Sequence, residues 1–178
     1  MIPSYIGGCV RDLEDLNEGV ITVNVIASAL AKVNRFNGQT PYPYSVAQHS
    51  VLVSHLVPPR QALEGLFHDA AEAFIGDLSK WIKPLCPDFM ELESTIEDRI
   101  NETLGLYPEH DQIKEADLIA LRLEQMYIQK RNVFYDEWES ITVPTAAYGF
   151  THLMQEISWR GACLAFLVRY VELTRWRR

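Results

Sequence analysis

Cysteine is scarce in this sequence, positive charge is not in excess, and no apolar run is long. The three cysteines are odd in number and lie far apart, which is the pattern of neither a disulfide framework nor a zinc finger. We therefore expect a reducing, cytoplasmic setting. The net charge of -8 excludes a general nucleic-acid or membrane-surface binder. The longest apolar run, residues 162–168, is too short to cross a bilayer, and the charged residues near the N-terminus are unlike those of a signal peptide.

The remaining pattern indicates one helical domain. The 178 residues suit a single domain with a sizeable core, and we expect residues 1–178 to form one. Residues 1–19 and 132–150 are expected to be irregular, and residues 20–25 could form a short strand. Because no segment has a convincing sheet pattern, the predicted fold class is all-α. Capping residues and apolar periodicity predict helices that begin at Asn24 and Ser45, then over residues 60–74, 79–83 (a short turn), 88–104, 111–130 and 151–175.

The segment LFHDAAE, residues 66–72, combines a buried helical pattern with three titratable side chains. Burying His68, Asp69 and Glu72 among apolar neighbours costs free energy unless they are paired or bind a metal. His68 and Glu72 are four residues apart, which places them on one face of a continuous helix. Asp69 would lie about 100° around the helix axis from His68. The two intervening alanines leave room for groups from other helices.

Two further polar residues occur in apolar helical segments elsewhere. His49 lies in VAQHS, residues 46–50, and Asp117 lies in IKEADLI, residues 113–119. With His68 and Asp69 they offer two imidazoles and two carboxylates, a mixed set that suits a divalent ion such as Co, Mn, Zn, Ni or Mg. Four protein ligands on an octahedral ion would leave two positions for a water and a substrate phosphate.

Each of these residues also has an ordinary structural interpretation. A lone histidine such as His49 is usually a hydrogen-bonded core or surface group. Asp69 could be a solvated helix residue, Asp117 could pair with a neighbouring Lys or Arg, and Glu72 could be an exposed acid. We interpret the other three histidines as structural: His55, His110 and His152.

In their order and flanking sequence, these residues resemble the HD-domain phosphohydrolase superfamily. Its pattern of a first His, a His-Asp pair and a distant Asp matches His49, His68-Asp69 and Asp117. The segment YSVAQHS, residues 44–50, is similar to the first-His segment of the 5′-deoxynucleotidase-like branch. HDAAE and the following IGDL are similar to that branch's active-site helix and turn. The resemblance implies an HD-domain helical bundle that holds one divalent ion on these four ligands.

The same resemblance implies roles for residues around the ion. Glu72 matches a catalytic acid that orients water and handles a proton. Asp77 matches a second acid, near the phosphates or a second divalent ion. Arg35 matches an arginine that reaches the substrate phosphate. Phe36 stands where this branch often has Trp, so it keeps an apolar surface for the base or sugar but lacks the indole donor.

The resemblance extends to a substrate class. The segment RFNGQT, residues 35–40, and the compact chain most resemble phage dATP triphosphohydrolases, which implies release of the whole triphosphate, in the host cytoplasm if the protein is phage-encoded. Lys80 and Lys83 could bind the outer phosphates or could equally be solvated. The alternatives are a 5′-deoxynucleotidase acting on monophosphates and a degenerate HD domain that senses nucleotides. The branch also implies a homo-oligomer, a dimer or hexamer, with a small-molecule nucleotide partner and neither nucleic acid nor membrane.

Overall fold

Helices make up most of the chain. The computed structural model describes residues 3–7, 9–13, 16, 19–129 and 140–175, and the predicted all-α fold class is confirmed. None of the helices in this described part is long and apolar enough to cross a membrane. In chain order the α-helices are α1 (Val23–Leu30), α2 (Val46–Leu56), α3 (Ala62–Phe67), α4 (Glu72–Ile75), α5 (Pro87–Leu104), α6 (His110–Glu124) and α7 (Trp159–Thr174).

A small hairpin precedes the helices. Strands β1 (Pro3–Ile6) and β2 (Cys9–Asp12) pair antiparallel, with Ile6 opposite Cys9. The prediction of an irregular segment is therefore wrong here. Gly7, at φ 58°, turns the chain between the strands, and Ile6 is buried in the core. Strands of four residues offer too little alternation to be detected against a helical background.

Two helices begin at other residues than predicted. Helix α1 is capped by the side chain of Thr22, so Asn24 lies inside the helix and the strand alternative for this segment is wrong. Helix α7 begins directly after Ser158, several residues later than predicted, and residues 145–154 form 3-10 turns instead. In both cases a Ser or Thr with extended backbone accepts a hydrogen bond from the first turn, which fixes the start of the helix.

Other predicted boundaries are confirmed. Ser45 caps α2 and forms a capping box with Gln48, and α5 ends at Gly105 in the left-handed conformation, φ 64°. Helix α6 continues into a π-helix, Gln125–Gln129. The segment 132–150, predicted to be irregular, lies partly outside the described residues.

Helix α2 lies at the centre of the fold and brings the other helices together. All residues from Val46 to Ser54 are buried, and α2 packs against α3, α6 and α7. Gly65 allows α3 to approach closely, because a Cβ at this position would lie 3.0 Å from the Val57 side chain. Buried apolar side chains form two clusters, one shared by α1, α3 and α7 and one shared by α2 and α6. Polar residues on α2, α3 and α6 are thereby placed close together in the interior.

Candidate metal centre

His49 lies on α2 in the interior, and a buried carboxylate holds its ring. Its Nδ1 lies 2.7 Å from Oε1 of Glu124 on α6, and both side chains are 0 % exposed. Glu124 also accepts hydrogen bonds from the Tyr44 hydroxyl, at 3.0 Å, and from Arg35 Nε, at 3.2 Å. Burial opposes the charge on Glu124, but Arg35 and His49 outweigh it and lower the pKa of this carboxyl. An ionised carboxylate only accepts, so the proton between the two residues belongs to His49 Nδ1.

His68 follows α3 at a tight turn. Its Nδ1 donates to the carbonyl oxygen of Gly65 at 2.9 Å. The helix predicted over residues 60–74 is interrupted here, because residues 68–71 form a turn closed by short-range bonds such as Glu72 N–H to Asp69 O, 3.1 Å. Residues three apart align in this 3-10 geometry. The pair on one face is therefore Asp69 and Glu72, and not His68 and Glu72 as a continuous helix predicts.

The predicted metal-binding side chains meet between α2, α6 and the turn after α3. His49 Nε2 lies 3.2 Å from His68 Nε2 and 3.0 Å from Asp117 Oδ1. Ligand atoms of these three residues all lie within 4.8 Å of one another, so the group can hold a metal ion. Asp69 Oδ2 lies 3.1 Å from His68 Nε2 and 3.6 Å from His49 Nε2. Asp69 is therefore beside the group, and its place as the fourth ligand stays a prediction.

The donor chemistry of the group fits a divalent cation. Both Nδ1 atoms donate to oxygen, so neutral rings would present two Nε2 lone pairs 3.2 Å apart, next to carboxylate oxygens. These groups repel one another unless a positive charge lies among them. When no cation is bound, a second proton on the His49 ring can supply this positive charge. Burial and Arg35 lower the pKa of His49, but Glu124 and Asp117 outweigh them and raise it to about 9. A divalent cation can take the place of that proton.

The carboxylates of the group are held in the ionised form that binds metal. Burial disfavours the charge on Asp69, but His68, His49 and Arg35 outweigh it and hold the pKa of this carboxyl well below its usual range. Burial also opposes the charge on Asp117, and the hydrogen bond from His49 outweighs it and lowers the pKa. Asp117 is the more exposed of the two, with 38 % of its side chain accessible. The group is therefore open on the side of Asp117.

Arg35 reaches the site from a strained loop before α2. Its NH1 lies 3.7 Å from Asp69 Oδ2. The next residues, Phe36 and Asn37, have φ values of 55° and 52°, a left-handed conformation that costs about 1–3 kcal/mol for each non-glycine residue. Phe36 packs against the buried cluster of α2 and α6, and its ring lies 5.3 Å from the Arg35 guanidinium. Burial opposes the charge on Arg35, but Glu124, Asp117 and Asp69 outweigh it and raise its pKa above the ordinary value.

Glu72 and Asp77 form a second acidic pair beside the metal group. Glu72 is 6 % exposed, and its Oε2 has no hydrogen-bond partner within the described part of the chain. Burial, Asp69 and Asp77 raise the pKa of Glu72 to about 9, which favours its protonated form as long as no cation lies beside it. Burial also raises the pKa of Asp77. Two carboxyls that each disfavour ionisation of the other can transfer a proton or bind a further cation.

The two lysines predicted to bind phosphate are placed differently. Lys83 Nζ forms an ion pair with Glu93 Oε1 of α5 at 2.8 Å. Burial lowers the pKa of Lys83, but Glu93, Glu72 and Asp69 outweigh it and raise the pKa, so the charge of Lys83 interacts with the acids beside the metal group. Lys80 is exposed and lies over the Trp81 ring, 5.3 Å from its centre. Lys83 is thus held near the site, whereas Lys80 lies on the surface.

Sequence reasoning missed Glu124 and Tyr44. Glu124 lies seven residues, two helical turns, after Asp117 and so shares its face of α6. An acid at that spacing among apolar residues was a usable signal. Tyr44 gave no comparable signal, because tyrosines in turn-rich segments often lie on the surface. Three histidines lie outside the metal group identified among the described residues: His55, His110 and His152.

Comparisons with known proteins find two relatives, both described as uncharacterized. YfdR of Escherichia coli K12 is 42% identical over 113 residues, which are 63% of this chain and 64% of YfdR. A protein of Rhodobacter capsulatus is 36% identical over 128 residues, 64% of this chain and 65% of that protein. The chain spans less than two thirds of the length of each relative. No family model matches the sequence.

Proposed function

We propose that this protein is a metal-dependent phosphohydrolase that converts a deoxynucleoside triphosphate, with dATP the first candidate, into deoxynucleoside and tripolyphosphate. The observation that carries the proposal is the meeting of His49, His68 and Asp117, with Asp69 beside them. Their order along the chain resembles that of HD-domain phosphohydrolases. The sequence contains no Gly-x-Ser-x-Gly nucleophile motif, which favours direct attack by water on the α-phosphorus.

The chain's own residues supply orientation and proton transfer. His49, His68, Asp69 and Asp117 would hold the ion, which when bound acidifies a water and polarises a phosphate oxygen. Glu124 keeps one proton of His49 on Nδ1, so Nε2 would present its lone pair once the ion replaces the second proton. Glu72, buried beside the metal group, would orient the water, accept its proton and pass that proton to the departing nucleoside 5′-oxygen.

Positive charge beside the acids supports a triphosphate as substrate. Arg35 and Lys83 both lie near Asp69 and Glu72, on a protein whose net charge is -8. Two fixed cations are more than one monophosphate requires, and they can stabilise charge that develops on the phosphate oxygens. Lys80 would reach a γ-phosphate only from the surface. The ion would be one of Co, Mn, Zn, Ni or Mg, and a second divalent ion would lie near Asp77 and the phosphates.

Two alternative functions would give different reaction products. A 5′-deoxynucleotidase would use the same metal group and differ only in the number of phosphates that fit. A degenerate domain that senses nucleotides would bind without turnover. The buried acidic pair of Glu72 and Asp77 favours an enzyme, because a protein that only binds an anionic nucleotide gains nothing from two acids beside it.

The deciding experiment is product analysis. The protein is incubated with each of the eight (d)NTPs and their monophosphates in Mn²⁺ or Co²⁺, and the products are separated by chromatography. We expect deoxyadenosine and tripolyphosphate from dATP. Asp69→Ala, which removes an anionic ligand, should abolish the reaction, whereas Asp111→Asn, an exposed acid at the start of α6, should not. Phosphate release from dAMP with triphosphates untouched would select the nucleotidase, and no turnover with any nucleotide would select the sensor.

We also propose that the protein forms a homo-oligomer in the cytoplasm. Helix α7 exposes Leu164, Val168 and Val171, which are 62 %, 48 % and 58 % accessible. Their spacing of four and three residues places them on one face of the helix. Exposed apolar side chains grouped in this way are typical of a surface covered by another protein, and a second copy of the chain is the partner that the resemblance implies.

A further inference from the structure

A cavity of about 260 Å³ opens directly onto the metal group. Three helices line it, each with residues spaced to share one face. Helix α3 and its following turn contribute Glu64 and His68, α5 contributes Glu97 and Asn101, and α6 contributes Asp117. Its walls also carry apolar side chains, among them residues 67, 100 and 113. A concave, largely apolar space with a few converging polar groups is the usual form of a small-molecule site.

Acidic side chains outnumber basic ones in this cavity, which disfavours phosphate and favours a group that donates hydrogen bonds. The carboxyls of Glu64, Glu97 and Asp117 line it, whereas Lys114 and His110 line it from exposed positions on α6. Glu64 is 3 % exposed and Glu97 is partly buried, so two carboxyls face a space of low dielectric. None of the described residues expected to hold phosphate, Arg35, Lys80 and Lys83, lines it. The phosphates of a nucleotide bound at the metal would therefore point away from the cavity, and its nucleoside would point in.

We propose that this cavity binds the nucleoside part of the substrate, and that Glu97 and Asn101 select bases that carry an exocyclic amine. The inference rests on the proposed function and adds the base specificity to it. Glu97 and Asn101 are four residues apart on α5 and so lie side by side. An Asn side chain can pair with adenine through two hydrogen bonds, and a carboxylate accepts from an amino group such as that of cytosine or adenine. Thymine offers carbonyl oxygens at the corresponding positions, which a carboxylate repels.

The acid–base state of Glu97 agrees with this assignment. Burial and Glu93 raise its pKa to about 7, so it gains from a donor that stabilises its ionised form. Phe36 is the competing place for a base, but Phe36 does not line the cavity and packs against the cluster of α2 and α6 instead. The two locations make different predictions, because Glu97 and Asn101 line the cavity and Phe36 does not.

The test compares base preference in matched variants. Values of kcat/KM are measured for dATP, dCTP, dGTP and dTTP with the wild type, Glu97→Gln and Asp98→Asn. The last variant removes the same charge from the neighbouring exposed position on α5. We expect the wild type to prefer dATP over dTTP by about tenfold to a hundredfold, the usual worth of one well-made base contact. Glu97→Gln should reduce that ratio about tenfold, because an amide can also donate to thymine, and Asp98→Asn should leave it unchanged.

A second measurement separates this inference from the proposed function. Binding of deoxyadenosine and of thymidine is measured by equilibrium dialysis, which requires no turnover. Tighter binding of deoxyadenosine that is lost in Glu97→Gln supports the cavity even if no nucleotide is hydrolysed. Equal ratios in Glu97→Gln and Asp98→Asn overturn the inference while leaving the hydrolase intact. A ratio that changes in Phe36→Ala and not in Glu97→Gln also overturns it and places the base against Phe36.

Discussion

Replacement of Glu124 tests whether a buried carboxylate outside the metal group controls metal binding. In Glu124→Gln the side chain keeps its shape and can still accept from His49 Nδ1 and the Tyr44 hydroxyl, but it loses its charge. Partners of this kind, which hold a ligating imidazole by its other nitrogen, are usually worth tenfold to a hundredfold in metal affinity. We therefore expect the Kd for Co²⁺ or Mn²⁺ to rise by about tenfold to a hundredfold, which is a loss of about 1.4–2.7 kcal/mol in binding free energy.

The same substitution also has a cost in stability, which must be separated from the effect on affinity. Glu124 is 0 % exposed and pairs with an Arg35 side chain that is 14 % exposed. Removing one partner of a buried ion pair costs about 3–5 kcal/mol. Asp69 remains 3.7 Å from Arg35, so we expect the lower end, about 3 kcal/mol. For a chain of 178 residues this corresponds to a fall in Tm of about 6–12 °C.

The assay is a competitive titration of metal against a chelator at 10 °C, well below the Tm of each variant, with thermal unfolding followed in parallel. Tyr44→Phe is the matched control, because it removes a hydrogen bond to the same Glu124 oxygen without touching His49 or Arg35. It should cost about 0.5–1.5 kcal/mol in stability and leave metal affinity within about threefold of the wild type. If Glu124→Gln loses stability but binds metal as the wild type does, Glu124 does not orient His49 and the reasoning is refuted.

Three further outcomes are expected. Glu72→Gln should keep metal binding and lose turnover by about 10²–10⁴-fold; near-normal turnover would remove Glu72 from the reaction. Burial and Arg169 lower the pKa of His55 from 6.5 to about 4. Between these pH values the unfolded chain binds more protons than the folded one, so stability falls as pH falls. The drop in Tm from pH 7.5 to pH 5.0 should therefore be smaller in His55→Gln than in the wild type, and an equal drop would contradict this. Leu164→Glu on the exposed face of α7 should reduce the mass measured by light scattering to that of a monomer, whereas Glu172→Gln should not; a monomeric wild type would exclude the oligomer.

The helices could be predicted from sequence because their ends depend on local signals. The set of residues that meets was predicted from polar residues in apolar helices together with the resemblance to the HD pattern. The capping box of Ser45 and Gln48 and the glycine at residue 105 mark helix ends that the structure confirms. Polar residues in apolar helices indicated positions that face the interior. His49, His68 and Asp117 do meet there, although no distance between them could be derived from spacing alone.

The rest could not be predicted because it depends on choices that leave no local signal. The turn at residues 68–71 differs from an α-helix only in whether each N–H bonds three or four residues back, and the same residues are compatible with both. Lys83 pairs with Glu93 of another helix, which follows from tertiary packing. The left-handed backbone at Phe36 runs against the preference of a bulky aromatic residue and is imposed by its surroundings.

Arg35 shows how one loop can serve both the metal and the substrate. Its contact with Glu124 uses Nε at 3.2 Å, while NH1 lies 3.7 Å from Asp69, beyond hydrogen-bond length. A guanidinium has five N–H donors in a fixed plane, so its terminal nitrogens can bind phosphate oxygens while Nε stays on Glu124. Because Glu124 also holds His49, the proposed phosphate on Arg35 and the proposed metal on His49 would both be positioned through one buried carboxylate. The strain at Phe36 then has a physical reason, since this backbone turns the guanidinium inward while the phenyl ring packs on the core.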